Sequence, residues 1–206
     1  MEGGSLGARL EEGMKGKTAL TAQQRFDIAS DVARGLEYLH VDADPPIIHQ
    51  DVKSDNILLD VVGGTLLAKV ADFGTARFVP ELLDGGTHHS TGMVIGTKPY
   101  QPAEYIMHGQ VSEKTDTFAF GVVLCELLTG EGPVMLSAKM VEPLDDAERK
   151  LPPLLDSHLG GSGGGGWPVA DAVALGRIAR RCIEMVAAQR CTVAEVLPEL
   201  DALAKR

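Results

Sequence analysis

An acid, a cation, an amide and a second acid stand at Asp51, Lys53, Asn56 and Asp72 of this 206-residue chain. The first three lie within His49-Gln50-Asp51-Val52-Lys53-Ser54-Asp55-Asn56-Ile57-Leu58-Leu59-Asp60, and the fourth opens Asp72-Phe73-Gly74. These residue types at this spacing suit phosphoryl transfer. A base must sit near an attacking hydroxyl, a cation near the moving phosphoryl group, and an oxygen pair must hold magnesium. A lone Asp, Lys or Asn in a loop is ordinarily solvated surface or turn chemistry. Here the four together outweigh that reading.

Elements that could position these loops are legible on both sides. Thr21 followed by Gln24 is a capping box. Phe26, Ala29, Val32, Ala33, Leu36 and Leu39 then recur at helical spacing, which predicts a helix from Ala22 to about His40 whose apolar face is core. Pro45-Pro46 ends it and makes the next residues extended. Ile47-Ile48, Ile57–Leu59 and Leu66–Val70 are too short for helices and predict small strands bracketing the polar loops, with Gly63-Gly64 a turn. From Arg77 to Gln101 the chain has little periodicity, and a loop of that length inside a domain is usually functional or disordered. Thr115 to Thr129 is apolar enough for a helix buried on most sides, stopped by Gly130. Glu131 to Leu159 gives no clear pattern. The run 160–166 (GGSGGGG) predicts a flexible loop. Two last helices follow at about Val169–Ala187 and Thr192–Ala204, with Pro198 expected to kink or shorten the second.

Composition narrows the function classes. Hydrophobic residues make up 44% of the chain, enough for a core. Lys and Arg total 19 against 29 for Asp and Glu, a formal charge of −10, which gives nucleic acid no basic footprint. The apolar stretch Phe118 to Leu128 is too short to span a bilayer, and Met1-Glu2-Gly3-Gly4-Ser5 has no signal-peptide pattern, so a soluble cytoplasmic protein is expected. Cys125, Cys182 and Cys191 fit no ligand spacing and predict buried or free thiols in a reducing compartment. His88-His89 has no further metal-type ligand nearby and predicts loop surface. Asp55 and Asp60 predict turn roles, and Asp145-Asp146 with Glu148 a solvated charge run.

His49 to Asp60 closely resembles the catalytic loop of eukaryotic protein kinases, and Val70-Ala71-Asp72-Phe73-Gly74-Thr75-Ala76-Arg77 the metal-binding loop after it. Gly96-Thr97, Tyr100 and Pro102-Ala103-Glu104-Tyr105 resemble the end of an activation segment. Asp116-Thr117-Phe118-Ala119-Phe120-Gly121 resembles the start of the long central helix, and Arg190 stands where the family has an arginine. The Lys53-to-Asp60 loop and Thr87-His88-His89-Ser90-Thr91 resemble plant receptor-like and Pelle-type serine/threonine kinases. The likeness spans almost the whole chain and is weakest from Glu131 to Trp167. It implies a mainly α fold with a few short β strands, the C-terminal lobe of a kinase, with residues 1–206 forming a partial domain that runs from just after the hinge to the last helix. It also implies transfer of the ATP γ-phosphate to serine or threonine of protein substrates. In that scheme Asp51 accepts or orients the hydroxyl proton, Lys53 contacts the γ-phosphate, and Asn56 and Asp72 hold Mg2+. Lys53, Asn56 and Asp72 together bind the nucleotide and its metal. His49 and Phe73 support the site from beneath, Asp116 bonds the catalytic-loop backbone, and Glu104 pairs with Arg190.

The departures carry expectations of their own. Gln50 replaces the arginine that pairs with activation-loop phosphate in relatives that keep it, so weak dependence on loop phosphorylation is expected. Lys98-Pro99 and Pro102-Ala103 change the substrate floor, and Cys191 replaces a usual Pro. No glycine-rich loop followed by a Val-Ala-x-Lys strand is present, so the N-lobe that normally covers ATP is expected to be absent from this chain. Three readings follow: a piece of a working kinase, through an incomplete gene model or completed by a separate N-lobe or upstream receptor segment; a non-catalytic, pseudokinase-like binding module or scaffold; or a decayed remnant. Retention of Asp51, Lys53, Asn56 and Asp72 together argues against the last.

Overall fold

Leu6, Leu10 and Gly13 are buried along a first helix, α1 (Leu6–Met14), whose N-cap Ser5 Oγ accepts from the Ala8 N–H at 3.3 Å. The structure, a computed structural model, describes residues 3–17, 19–78, 89–90, 96–134, 136–159 and 166–205. No helix was expected at α1, because Gly7 and Gly13 dilute its pattern. Gly13 nevertheless fits closely, with an added Cβ 3.3 Å from the Ala19 Cα.

The Thr21 box forms as expected: Thr21 Oγ1 accepts from the Gln24 N–H and Gln24 Oε1 from the Thr21 N–H. It opens α2 (Ala22–Glu37), whose Phe26, Ile28, Ala29, Val32, Ala33 and Leu36 are buried. One wider turn, Tyr38–Asp42, carries the helix past the expected His40 end before Pro45 stops it. Three strands then frame the polar loops: β1 (Ile47–Ile48), β2 (Ile57–Val62) and β3 (Thr65–Val70). β2 and β3 form an antiparallel hairpin turning at Gly63-Gly64, both with positive φ, as the spacing predicted. Asp60 lies inside β2 rather than in a turn, with its carboxylate 3.9 Å from Lys69 Nζ across the hairpin.

β4 (Arg77–Phe78) pairs with β1, and β5 (His89–Ser90) with β6 (Gln110–Val111). The expected long loop otherwise lies largely outside the described residues, as do His88 and Thr91, and most of the glycine run (160–165). α3 (Ala103–His108) precedes α4 (Glu113–Thr129), the central helix, which is buried from Thr115 to Thr129 and ends at Gly130 with φ 71°. α5 (Leu136–Asp145) and α6 (Ala147–Lys150) fill the segment that had no clear pattern. α7 (Val169–Cys182) stops five residues before the expected Ala187, because Ile183 to Arg190 turns back toward the core. α8 (Val193–Ala204) runs through Pro198 without being shortened, and Thr192 with Glu195 caps it by the same box device. The result is predominantly α-helical with short strands. Helices α2, α4, α7 and α8 enclose a single main core, and no described helix is long and apolar enough to cross a membrane.

Candidate active site

The hairpin register explains how residues distant in sequence meet. Ile57 faces Val70, so Asn56 and Ala71 emerge side by side, and the Ala71 N–H donates to the Asn56 carbonyl at 2.8 Å. The amide of Asn56 and the carboxylate of Asp72 therefore leave the same end of one sheet.

Asp51 is the centre of the polar contacts. Lys53 Nζ lies 2.8 Å from its Oδ2, and Asn56 Nδ2 donates to its Oδ2 at 3.1 Å and to its carbonyl at 2.9 Å. Its other oxygen, Oδ1, accepts from the Thr97 N–H at 3.1 Å and the Thr97 hydroxyl at 2.9 Å. Lys53 Nζ also donates to Thr97 Oγ1 at 3.0 Å. An aliphatic hydroxyl thus already sits between the carboxylate and the ammonium. Gly96 makes this approach feasible: its φ is 99°, and a Cβ there would lie 2.7 Å from the Gln50 carbonyl.

The loop is held from below by Asp116 in the first turn of α4. Its Oδ2 accepts from the His49 N–H at 2.8 Å and its Oδ1 from the Gln50 N–H at 2.9 Å, while His40 Nε2 lies 2.9 Å from Oδ2. The backbone contacts expected of Asp116 are therefore present. They fix Gln50 at φ 67°, a left-handed conformation unusual for a non-glycine residue. The fully buried His49 is locked in one tautomer. Its Nε2 can only donate to the Ala71 carbonyl at 3.0 Å, and its Nδ1 can only accept from the Asp51 N–H at 3.3 Å. Phe73 meets the His49 ring edge-on at 5.0 Å but is 49% exposed, so it does not lie beneath the site as expected. Asp72 itself is exposed and left-handed, at φ 62°, and its Oδ1 accepts from the Gly74 N–H at 3.3 Å.

Glu104 and Arg190 form the expected pair, with Arg190 Nη1 2.7 Å from Oε1. A second buried network was not foreseen. Ser54 Oγ donates to Glu126 Oε1 at 2.9 Å, Tyr100 OH donates to Oε2 at 2.9 Å, and the two hydroxyls lie 3.1 Å apart. The only sequence signal was an acid inside an otherwise apolar helix. A cavity of about 680 Å³ lies beside it, bordered by Glu11, Asp55, Thr97, Tyr100, Glu126 and Lys139.

Burial pushes the Glu126 carboxyl up to about 8, with Asp55 adding to the rise and the two hydroxyl donors opposing it. A folded-state value above the unfolded one means the stabilising form is the protonated one. Its contribution is complete below about pH 4.5 and is lost as pH rises toward about 8. Glu126→Gln is therefore expected to flatten the fall in thermal unfolding midpoint between these limits and to be more stable than the parent at alkaline pH. Parallel melting curves for the two proteins across that range would contradict this origin.

The protein kinase domain family matches residues 1–199, and the chain belongs to that family. It is 51% identical over 123 residues to calmodulin-binding receptor-like cytoplasmic kinase 2 of Arabidopsis thaliana, covering 60% of this chain and 29% of that protein. It is 37% identical over 203 residues to a proline-rich receptor-like protein kinase of Arabidopsis thaliana, covering 91% of this chain and 28% of that protein. It is 39% identical over 188 residues to a serine/threonine-protein kinase of the same plant, covering 87% of this chain and 43% of that protein. By family the chain is a serine/threonine protein kinase, and it spans less than half the length of these relatives.

Proposed function

We propose that this chain transfers the γ-phosphate of magnesium-bound ATP to serine or threonine hydroxyls of protein substrates in the cytoplasm. In this reading it forms a partial kinase domain from the hinge-proximal segment to the last helix. The observation that carries it is the Thr97 hydroxyl held between Asp51 Oδ1 and Lys53 Nζ, because a substrate hydroxyl needs that same pair of partners.

Asp51 is assigned the substrate hydroxyl: it orients the oxygen and takes its proton. Lys53 supplies positive charge to the transferring group, and its contact with Asp51 keeps it on the loop side of the site. The donor set fits magnesium. Both Asn56 amide hydrogens are directed at Asp51, which leaves Oδ1 as the atom a cation would use, and the Asp72 carboxylate is solvent-facing. Two oxygen donors from the protein, completed by water and phosphate, are what this small hard cation ordinarily takes. Bound there, magnesium would offset phosphate charge. Asp116 and His49 hold the loop in register, which matters because positioning supplies most of the catalysis in phosphoryl transfer.

Phosphate release from magnesium-ATP by the purified chain, with and without a generic basic protein acceptor, tests the proposal. The exposure of Phe73 and Phe78, at 49% and 64%, favours a second reading in which the chain is a non-catalytic binding module. A folded chain that gives no calorimetric signal with magnesium-ATP would support that module and defeat the catalytic reading of the isolated chain.

Gln50 bears on regulation. Its side chain is buried, and neither amide atom has a partner among the described residues. A neutral amide cannot pair with a phosphate as an arginine would. The double variant Ser90→Ala/Thr91→Ala is therefore expected to keep most of the parent's activity. Near-complete loss of phosphoryl transfer in that variant would overturn the expectation.

A further inference from the structure

Cys182 closes α7, and Cys191 stands just before Thr192, the cap of α8. Their sulfurs lie 3.7 Å apart. All three cysteines are free thiols, and the third, Cys125, is fully buried in the central helix. Cys191 occupies a position where the resembling kinases usually carry proline, so the pair is not part of the phosphoryl-transfer machinery.

The two thiols differ in access. Cys182 is fully buried, whereas Cys191 is 7% exposed and lines an open cavity of about 550 Å³ with Lys114, Arg181 and Glu195. A small neutral oxidant can therefore reach Cys191 from solvent, and Cys182 stands directly behind it. A disulfide needs the sulfurs at about 2.05 Å. Cys191 lies outside both helices, so it can close the remaining gap without breaking a helical hydrogen bond.

We propose that Cys191 and Cys182 are a peroxide-sensitive thiol pair that closes into a reversible disulfide joining the ends of α7 and α8. The Cys191 thiolate attacks one peroxide oxygen and the O–O bond breaks. The departing hydroxide takes up the thiol's proton as water, leaving a sulfenic acid on Cys191. Cys182 sulfur then attacks Cys191 sulfur, the S–O bond breaks, and the hydroxyl leaves with the Cys182 proton as a second water. Two thiols lose two electrons in all, and one peroxide becomes two waters.

The electrostatics favour this order. The hydrogen bond with Cys182 holds the Cys191 thiol below its usual range, with the charges of Arg181 and Lys114 assisting against burial and Glu195. The same hydrogen bond, with burial, raises Cys182. A lowered thiol that borders an open cavity and is backed by a second thiol is the arrangement of a redox-sensing pair, the usual form of a disulfide in a reducing compartment. The ring so closed encloses residues 183–190 and ends beside Arg190, the partner of Glu104.

Wild-type chain treated with stoichiometric hydrogen peroxide is expected to lose two of its three titratable thiols and about 2 Da of mass, both restored by dithiothreitol. Peptide mapping should place the bond between Cys182 and Cys191, and Cys125→Ala should oxidise at the parent's rate. In Cys191→Ala the intramolecular bond should be absent. Sulfinic acid at Cys191 without a disulfide, a disulfide between two molecules only, or Cys125 oxidising as fast as Cys191 would each overturn the assignment. The wild-type thiol count decides the matter even if a variant folds poorly.

Discussion

Asp51→Asn is expected to lower phosphoryl transfer by about 10²–10⁴-fold, the usual contribution of a positioned general base. The substitution keeps the size of the side chain and one acceptor oxygen, so Thr97 can still donate to it. It removes the proton acceptor and the charge that faces Lys53 at 2.8 Å. The loop should survive the change, because its backbone is fixed by Asp116 through His49 and Gln50 and by the Asp51 main-chain atoms, which the substitution keeps. A thermal melt close to the parent's would establish that the rate and not the fold was altered. Asn56→Ala separates the two assigned roles. It should raise the magnesium concentration needed for half-maximal turnover, whereas Asp51→Asn should leave that requirement in place. Unchanged turnover in Asp51→Asn would remove Asp51 from the chemistry, and with it the main support for the catalytic reading.

What could be read from the sequence was what is decided locally. Thr21 with Gln24 marks a helix start because both partners of the capping box lie within one turn. Gly63-Gly64 between two apolar runs marks the hairpin, and that hairpin brings Asn56 and Asp72 to one edge. Features decided by distant partners could not be read in this way. Arg25 is buried against Asp156 and donates to the Leu127 carbonyl at 2.6 Å, yet in sequence it is one cation on an amphipathic helix. Glu126 is one acid in an apolar run, and its partners Ser54 and Tyr100 come from two separate loops. The end of α7 was missed because Ile183 continues the apolar pattern, while Arg190 pulls the chain inward through Glu104 and the Glu184 carbonyl. Phe73 was expected beneath the site on resemblance, and resemblance does not fix which neighbours cover a side chain. A motif identifies the residues that meet at a loop. Burial and electrostatics depend on everything packed around it.

Arg190→Ala is expected to destabilise the fold by about 3–5 kcal/mol, the range for removing one partner of a buried ion pair. Its side chain is fully buried, while that of Glu104 is 16% exposed. The guanidinium also donates to the Lys114 carbonyl at 2.9 Å and the Glu184 carbonyl at 2.8 Å, and stacks 5.0 Å from the Phe118 ring centroid. With the longer contact to the Met185 carbonyl at 3.5 Å, truncation therefore leaves a carboxylate, three carbonyls and a ring face without this partner. Glu104→Gln should cost less, because the amide oxygen can still accept from Arg190 and the backbone carbonyls keep their donor. Lysine should not rescue position 190, since a single ammonium cannot serve a carboxylate and three divergent carbonyls at once. Urea unfolding should thus rank the midpoints as parent, then Glu104→Gln, then Arg190→Ala. Equal losses in the two variants would mean that the ion pair alone fastens the segment. A larger loss for Arg190→Ala would show that the arginine works mainly as a five-donor bracket, joining α3, the start of α4 and the turn before α8 from inside the core.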